Sequence, residues 1–283
     1  MNWNRIDANR WLSALRTSAA GAGPGGNGDI CRRAGRPARV GGGIVIVPVL
    51  YQIFSMLGID EGIRMHLAVG TSLGTIIITS IRSVRAHAKK GAVDWEMLRL
   101  WAIPVLIGVL TGTALASQVS GRGLTLVFAS AALLVAANMA FGKETWRLGS
   151  QLPSRPVQYG VAGAIGMLSA MMGIGGGTFG VTFMTLFGKN AREAVATSAG
   201  LGVLIGVPGV VGFIFSGWGE PALPPFSLGY VNLVGLALIV PLTILSAPWG
   251  AHLAHSISHK ALLRAFAFFL ALTSCQMFYR LFG

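Results

Sequence analysis

The residues best placed to do chemistry are two hydroxyl pairs and two runs of glycine. Thr71-Ser72 and Thr197-Ser198 each stand inside an otherwise apolar segment. Gly41-Gly42-Gly43 precedes the first pair, and Gly175-Gly176-Gly177 precedes the second. A small oxyanion is held by hydrogen-bond donors and needs no large apolar pocket. Helix N-termini supply free N–H groups and the positive end of a dipole. The segments that begin after Gly43 and Gly177 would offer two such ends, and Thr71, Ser72, Thr197 and Ser198 could add hydroxyl donors. The competing reading is structural. Glycine lets helices pack closely in lipid, and serine or threonine in a membrane helix bonds its own backbone or a neighbouring helix.

Two other groups carry chemistry. His252, His255 and His259 are spaced i, i+3, i+7 and share one face of a helix if it continues there. They could bind a metal or relay protons. No carboxylate or cysteine nearby completes a metal set, and interfacial snorkelling explains them as well. Arg82 and Arg85 at the end of a span could draw anions toward a vestibule, or simply anchor the span. No Gly-x-Ser-x-Gly, His-Glu-x-x-His or pair of intramembrane aspartates occurs. Gly173–Gly177 lacks the βαβ surroundings of a dinucleotide fingerprint. An enzyme is therefore the weaker reading, and no cofactor is expected.

The elements that must position these residues are membrane spans. Of 283 residues, 53% are hydrophobic and only 11% charged, and the mean hydropathy is +0.66. That is the composition of a polytopic membrane protein. The net charge of +13 does not point to nucleic acid, because the basic residues sit in short loops between apolar runs. Cys31 and Cys275 are far apart and form no metal or disulfide pattern.

The expected spans are Ile44–Leu57, Met65–Val84, Leu98–Gln118, Leu124–Phe141, Val157–Met172, Thr178–Phe187, Ala194–Phe215, Leu228–Trp249 and Ala261–Leu281. Val157–Met172 and Thr178–Phe187 flank the second glycine run, and each is short of the roughly 20 residues that a transmembrane helix needs. Short, glycine-interrupted segments at matching places in two halves point to a transporter's central site.

The halves match in order. Ala68-Val69-Gly70-Thr71-Ser72-Leu73-Gly74 aligns with Ala194-Val195-Ala196-Thr197-Ser198-Ala199-Gly200, with five of seven positions identical. Pro104 then corresponds to Pro241, and Ser120-Gly121-Arg122 to Ser258-His259-Lys260. The positive-inside rule places Arg85–Lys90, the 142–156 link and Lys189–Arg192 in the cytoplasm, and Ser216–Ser227 outside. The turn Gly58–Arg64 then falls outside while its partner Gly188–Arg192 falls inside, so the halves are antiparallel. The expected architecture is an all-α polytopic membrane protein of two inverted repeats, each of about five helical segments. Residues 41–141 form the first repeat, 142–156 a cytoplasmic linker and 157–283 the second repeat.

Residues 1–40 do not fit this pattern. From Ala20 to Arg39, sixteen of twenty residues are Gly, Ala, Pro or Arg. Such a stretch reads either as a disordered basic tail or as a non-native sequence from GC-rich codons read out of frame. The first repeat then has its opening segment lost or altered.

The Gly-x-Gly-Gly-Gly element at 173–177 with its counterpart Gly41–Gly43, the paired Ala-Val-x-Thr-Ser elements and the duplicated helical body resemble the TauE/SafE family of sulfite exporters. The resemblance runs from about Val40 to the C-terminus. It implies an anion permease of the bacterial cytoplasmic (inner) membrane that moves sulfite, an organosulfonate or a related small sulfur-containing anion. By analogy its substrate-binding positions here are Gly41, Gly42, Gly43, Thr71, Ser72, Gly175, Gly176, Gly177, Thr197 and Ser198. The family has an apolar helix running into its first glycine element, where this sequence has Arg32, Arg33, Arg36 and Arg39. The expected partners are a small anion and the lipid bilayer, with proton coupling as an option. The alternatives are a membrane-embedded metal enzyme on the His252/His255/His259 face, or a scaffold that transports nothing.

Overall fold

The computed structural model describes residues 43–141, 148–149, 151–256 and 258–282. Residues 1–40, Gly41, Gly42 and most of the 142–156 link up to Ser150 lie outside the described residues. The chain there is a series of helices: α1 Gly43–Met56, α2 Glu61–Ala88, α3 Trp95–Gln118, α4 Gly121–Phe141, α5 Arg155–Met172, α6 Gly177–Leu186, α7 Ala191–Ser216, α8 Leu233–Ser256 and α9 His259–Phe282. A small antiparallel hairpin, β1 Ser227–Leu228 and β2 Val231–Asn232, precedes α8. Five helices, namely α2, α3, α4, α7 and the Ala261–Phe282 part of α9, are long and apolar enough to cross a membrane.

The helix starts are written into the sequence. Asp60 and Asn190 cap α2 and α7 in the same way, each accepting from the amide two residues on (Gly62 and Arg192). Asp94 and Asn232 cap α3 and α8 in another shared way, each accepting from the amide three residues on (Met97 at 2.9 Å and Gly235 at 2.7 Å). These side chains satisfy amides that would otherwise have no acceptor.

Helices such as α3 are apolar on both faces, unlike amphipathic helices of water-soluble proteins. On α3 the inner face carries Trp101, Val105 and Val109, all fully buried, while Ile103, Ile107 and Leu110 on the other side are exposed. An outer face of that kind suits lipid, and the backbone bonds close within each helix. At the centre α2 packs against α7. Around that pair, α3 packs on α5 and α7, α8 on α2, and α4 on α9. Trp101 Nε1 donates to Gln158 Oε1 at 3.3 Å and so ties α3 to α5.

Two expectations change. The span expected from Leu228 does not begin there. Ser227–Asn232 forms the hairpin, and the helix starts at Leu233 after the Asn232 cap. The same span, expected to end at Trp249, runs on to Ser256.

Candidate functional site

The second glycine element breaks the chain between α5 and α6. Gly173 takes φ 64° and ends α5: its amide donates to Ala170 O at 3.3 Å, and that of Ile174 donates to Ser169 O at 2.9 Å. This is a Schellman ending, which needs a left-handed residue and therefore favours glycine. Gly176 takes φ 67° and caps α6. The first intrahelical bond of α6 runs from Gly180 N to Gly176 O at 2.8 Å. The amides of Gly177, Thr178 and Phe179 have no helical acceptor, as at any helix start.

The hydroxyl pairs meet this break unequally. Ser72 Oγ donates to the Gly173 carbonyl at 2.9 Å, so α2 of the first half holds the break of the second. Ser198 Oγ is buried, with no hydrogen-bond partner among the described residues. It points at the first turns of α6, where a Cβ on Gly180 would lie 3.1 Å from it. Thr178 Oγ1, on the first turn of α6, and Ser169 Oγ, near the end of α5, are likewise buried and unpartnered among the described residues. Thr178 and Ser169 escape a search for repeated pairs because neither has a counterpart in the first half.

The two threonines turn elsewhere. Thr71 Oγ1 accepts from the Asn232 amide at 2.9 Å. Thr197 Oγ1 accepts from the Asp94 amide at 3.0 Å. The contacts are equivalent: each threonine receives the backbone N–H of the residue that caps a helix of the other half. Reading the sequence for repeats misses Asp94 and Asn232. Their signal is a capping residue before an apolar run.

The site is closed in this structure. Thr71 and Ser72 are 0% exposed, Thr197 1% and Ser198 3%. A Cβ on Gly175 would lie 2.6 Å from Ile76 Cγ2, and one on Gly176 2.6 Å from Ile205 Cδ1. These glycines therefore also serve close packing, as the structural reading expects. A groove of about 730 Å³ lies between α3 and α5, lined by Leu100, Ile103, Ile107, Tyr159, Gly163 and Met167 among others. It contains none of the predicted site residues. Its lining is almost wholly apolar, so it offers an anion little.

At one end of α3 the Thr197–Asp94 contact joins an ion-pair network. Lys189 Nζ donates to Asp94 Oδ2 and to Glu193 Oε1, both at 2.6 Å. Partial burial alone would raise the Asp94 carboxyl, but the bonds from Lys189 and the Met97 amide outweigh it and hold Asp94 below the usual range. Burial pulls the other way on Lys189, and the bonds to Asp94 and Glu193 hold it above its ordinary value.

Gly43 opens α1, while Gly41 and Gly42 lie outside the described residues. The side chains of His252, His255 and His259 lie outside them as well. No three His, Cys, Asp or Glu side chains gather as a metal site among the described residues.

Paired Thr-Ser elements, a glycine break and apolar helices are the combination that the sequence resemblance rests on. Residues 39–277 match the sulfite exporter TauE/SafE family. The chain belongs to that family. The match starts next to Val40, where the composition changes. A probable membrane transporter protein of Haemophilus influenzae is 34% identical over 241 residues, covering 84% of this chain and 90% of that one. One from Methanocaldococcus jannaschii is 27% identical over 226 residues, 79% of this chain and 82% of that one. One from Bacillus subtilis is 25% identical over 259 residues, 85% and 90% of the two chains. No solved structure matches. With five helices among the described residues long and apolar enough to cross a membrane, and with these relatives, this TauE/SafE member is a multi-pass bacterial membrane protein.

Proposed function

We propose that this chain is a secondary transporter that moves a small sulfur-containing anion, sulfite or an organosulfonate, across the membrane by alternating access. Family membership and relatives named as membrane transporters support transport as its activity. The observation that carries the anion is the start of α6. Three amides without helical acceptors lie there beside the hydroxyls of Thr178 and Ser198, which have no partner among the described residues. Oxyanions are held by such N–H groups and hydroxyl donors. Gly175, Gly176 and Gly177 would let an anion approach the backbone, and Gly41, Gly42 and Gly43 would do the same for α1 in the other half.

Residues 41–141 and 157–283 act as inverted repeats joined by the cytoplasmic 142–156 linker. The Thr71–Asn232 and Thr197–Asp94 contacts are the two latches. One closes the outer side and the other the inner side. Each threonine oxygen accepts an amide and keeps its own proton, and a hydroxyl that accepts in this way is a stronger donor for as long as the bond holds. Ser72 keeps the break shaped through Gly173, so its role is to position backbone.

The test is flux into liposomes of sulfite, sulfoacetate and sulfate, each with and without a pH gradient. Transport of at least one sulfur anion, weakened about tenfold in binding by Ser198→Ala, supports the reading; a lost hydrogen bond to a charged partner is worth about that much. Absence of flux for all three, or full binding in Ser198→Ala, overturns it.

A further inference from the structure

His66 is a buried titratable group that the proposed anion site does not use. It lies on α2, five residues before Thr71, and is 4% exposed. Its Nε2 is 2.9 Å from the Ala116 carbonyl near the C-terminus of α3. The carbonyl can only accept, so Nε2 carries a proton, and in the neutral ring Nδ1 then carries the lone pair. Nδ1 is buried and has no partner among the described residues. A purely structural cap needs only Nε2–H, which a glutamine supplies equally well. The second nitrogen is a proton acceptor kept in reserve.

What covers His66 is the hairpin. The Tyr230 ring stacks on the imidazole with centroids 4.9 Å apart. The Tyr230 amide donates to Phe213 O at 3.1 Å, and Asn232, two residues on, bonds Thr71. His66 thus lies under the strand that makes the Thr71 latch. The other polar groups around it are few. On its own helix, Arg64 donates to Ile59 O and lies over the Tyr51 ring, and Glu61 pairs with Arg122 of α4 at 3.2 Å. The end of α3 presents the Ala116 carbonyl. The hairpin presents the Tyr230 phenol, which burial and the charge of Glu220 hold above its ordinary value and therefore neutral.

We propose that His66 is a proton-binding site that governs the seat of the 227–232 hairpin on α2. In the closed arrangement a proton on Nδ1 makes an imidazolium whose new N–H is buried without an acceptor. Such a group is costly in place and is relieved if Tyr230 lifts and Nδ1–H reaches water. The carbonyl end of α3 still favours the positive ring, so the cation is tolerated once wetted. Protonation therefore loosens the hairpin, and with it the Thr71–Asn232 contact. On the transport reading this is where a proton enters the cycle; the proton site itself does not depend on that reading.

The test needs no substrate. Purified protein labelled with 15N-histidine is titrated through the range of about pH 5 to 8 in which imidazoles change charge. A variant in which His87, His252, His255 and His259 are all glutamine isolates the His66 signals. Hydrogen exchange of 226–233, corrected for the intrinsic effect of pH, is followed in parallel in wild type and in His66→Gln. The expected result is a neutral ring protonated on Nε2 that becomes imidazolium on acidification, with hairpin exchange rising several-fold in wild type only. A ring that stays neutral throughout, or equal acid-induced exchange in His66→Gln, overturns the proposal. If His66→Gln fails to fold, titration of the isolated His66 signal decides alone, and a ring that does not titrate ends the idea.

Discussion

The hydroxyl of Ser72 donates to the carbonyl of Gly173 at 2.9 Å across 101 residues of sequence. That bond places the first repeated Thr-Ser pair on the backbone of the second glycine break. It also separates two serines that the alignment makes equivalent. Ser72 satisfies a buried carbonyl, whereas Ser198 has no partner among the described residues.

The two serines should respond unequally to alanine. Ser72→Ala leaves the Gly173 carbonyl without its donor and should cost about 1–3 kcal/mol. Ser198→Ala removes no bond and should change stability by less than about 0.5 kcal/mol. Thermal melts in detergent give both values. Equal destabilisation by the two changes would contradict the distinction.

Thr71→Val and Thr197→Val each orphan one backbone amide, of Asn232 and Asp94 respectively, and should each cost about 1–3 kcal/mol. Serine at either position keeps the acceptor and should restore most of the loss. The contacts share no partner, so the double variant should equal the sum of the singles within about 0.5 kcal/mol. A valine variant as stable as wild type would show that the contact is dispensable.

Lys189→Met tests the ion-pair network. Asp94 is held below its ordinary value, so its contribution is present above the unfolded carboxylate pKa of about 3.9 and is lost as pH falls through the lower folded value. Lys189 is held above its ordinary value, so its contribution is complete below the unfolded lysine pKa of about 10.4 and is lost as pH rises through the higher folded value. The stability difference between wild type and Lys189→Met should therefore be flat at neutral pH and shrink at both extremes. Partial exposure keeps it near 1 kcal/mol. Melting midpoints measured from acid to alkaline pH check the shape, and a difference that grows in acid would refute it.

Membrane orientation follows from the basic loops. Reporter fusions should place the 142–156 link in the cytoplasm and a tag after Gly283 outside. A cytoplasmic signal at both places would remove the antiparallel arrangement of the halves.

Much of this was legible in the sequence because lipid forces a simple code. The segments had to be apolar, and the helices α1 to α9 fall on the nine expected segments. The Thr-Ser pairs were legible because they stand out among apolar neighbours. The hairpin was not, because Leu228 and Val231 are as apolar as the helix that follows. Nor did the sequence say what the hydroxyls bond. Thr71 meets Asn232 across 161 positions and Thr197 meets Asp94 across 103, and only the fold brings such residues together. Gly176 reads in sequence as space for a ligand. Its φ of 67° and the nearness of Ile205 show that a side chain there would also strain the backbone. Gly176→Leu therefore does not separate transport from folding, and Ser198→Ala is the cleaner probe.

The two helices that carry the Thr-Ser pairs differ in length at one end. Thr71 lies eleven residues beyond its cap Asp60, while Thr197 lies seven beyond Asn190. Four residues make about one extra turn, or roughly 6 Å along the axis. In a transporter built on these halves, the path from the site to one surface is thus longer than the path to the other. A charged substrate then crosses unequal fractions of the membrane voltage on its two journeys. Electrical polarisation of the bilayer would then act more on one half of the cycle than on the other, so the carrier's rates would be asymmetric while the gradients across the membrane still set its net direction.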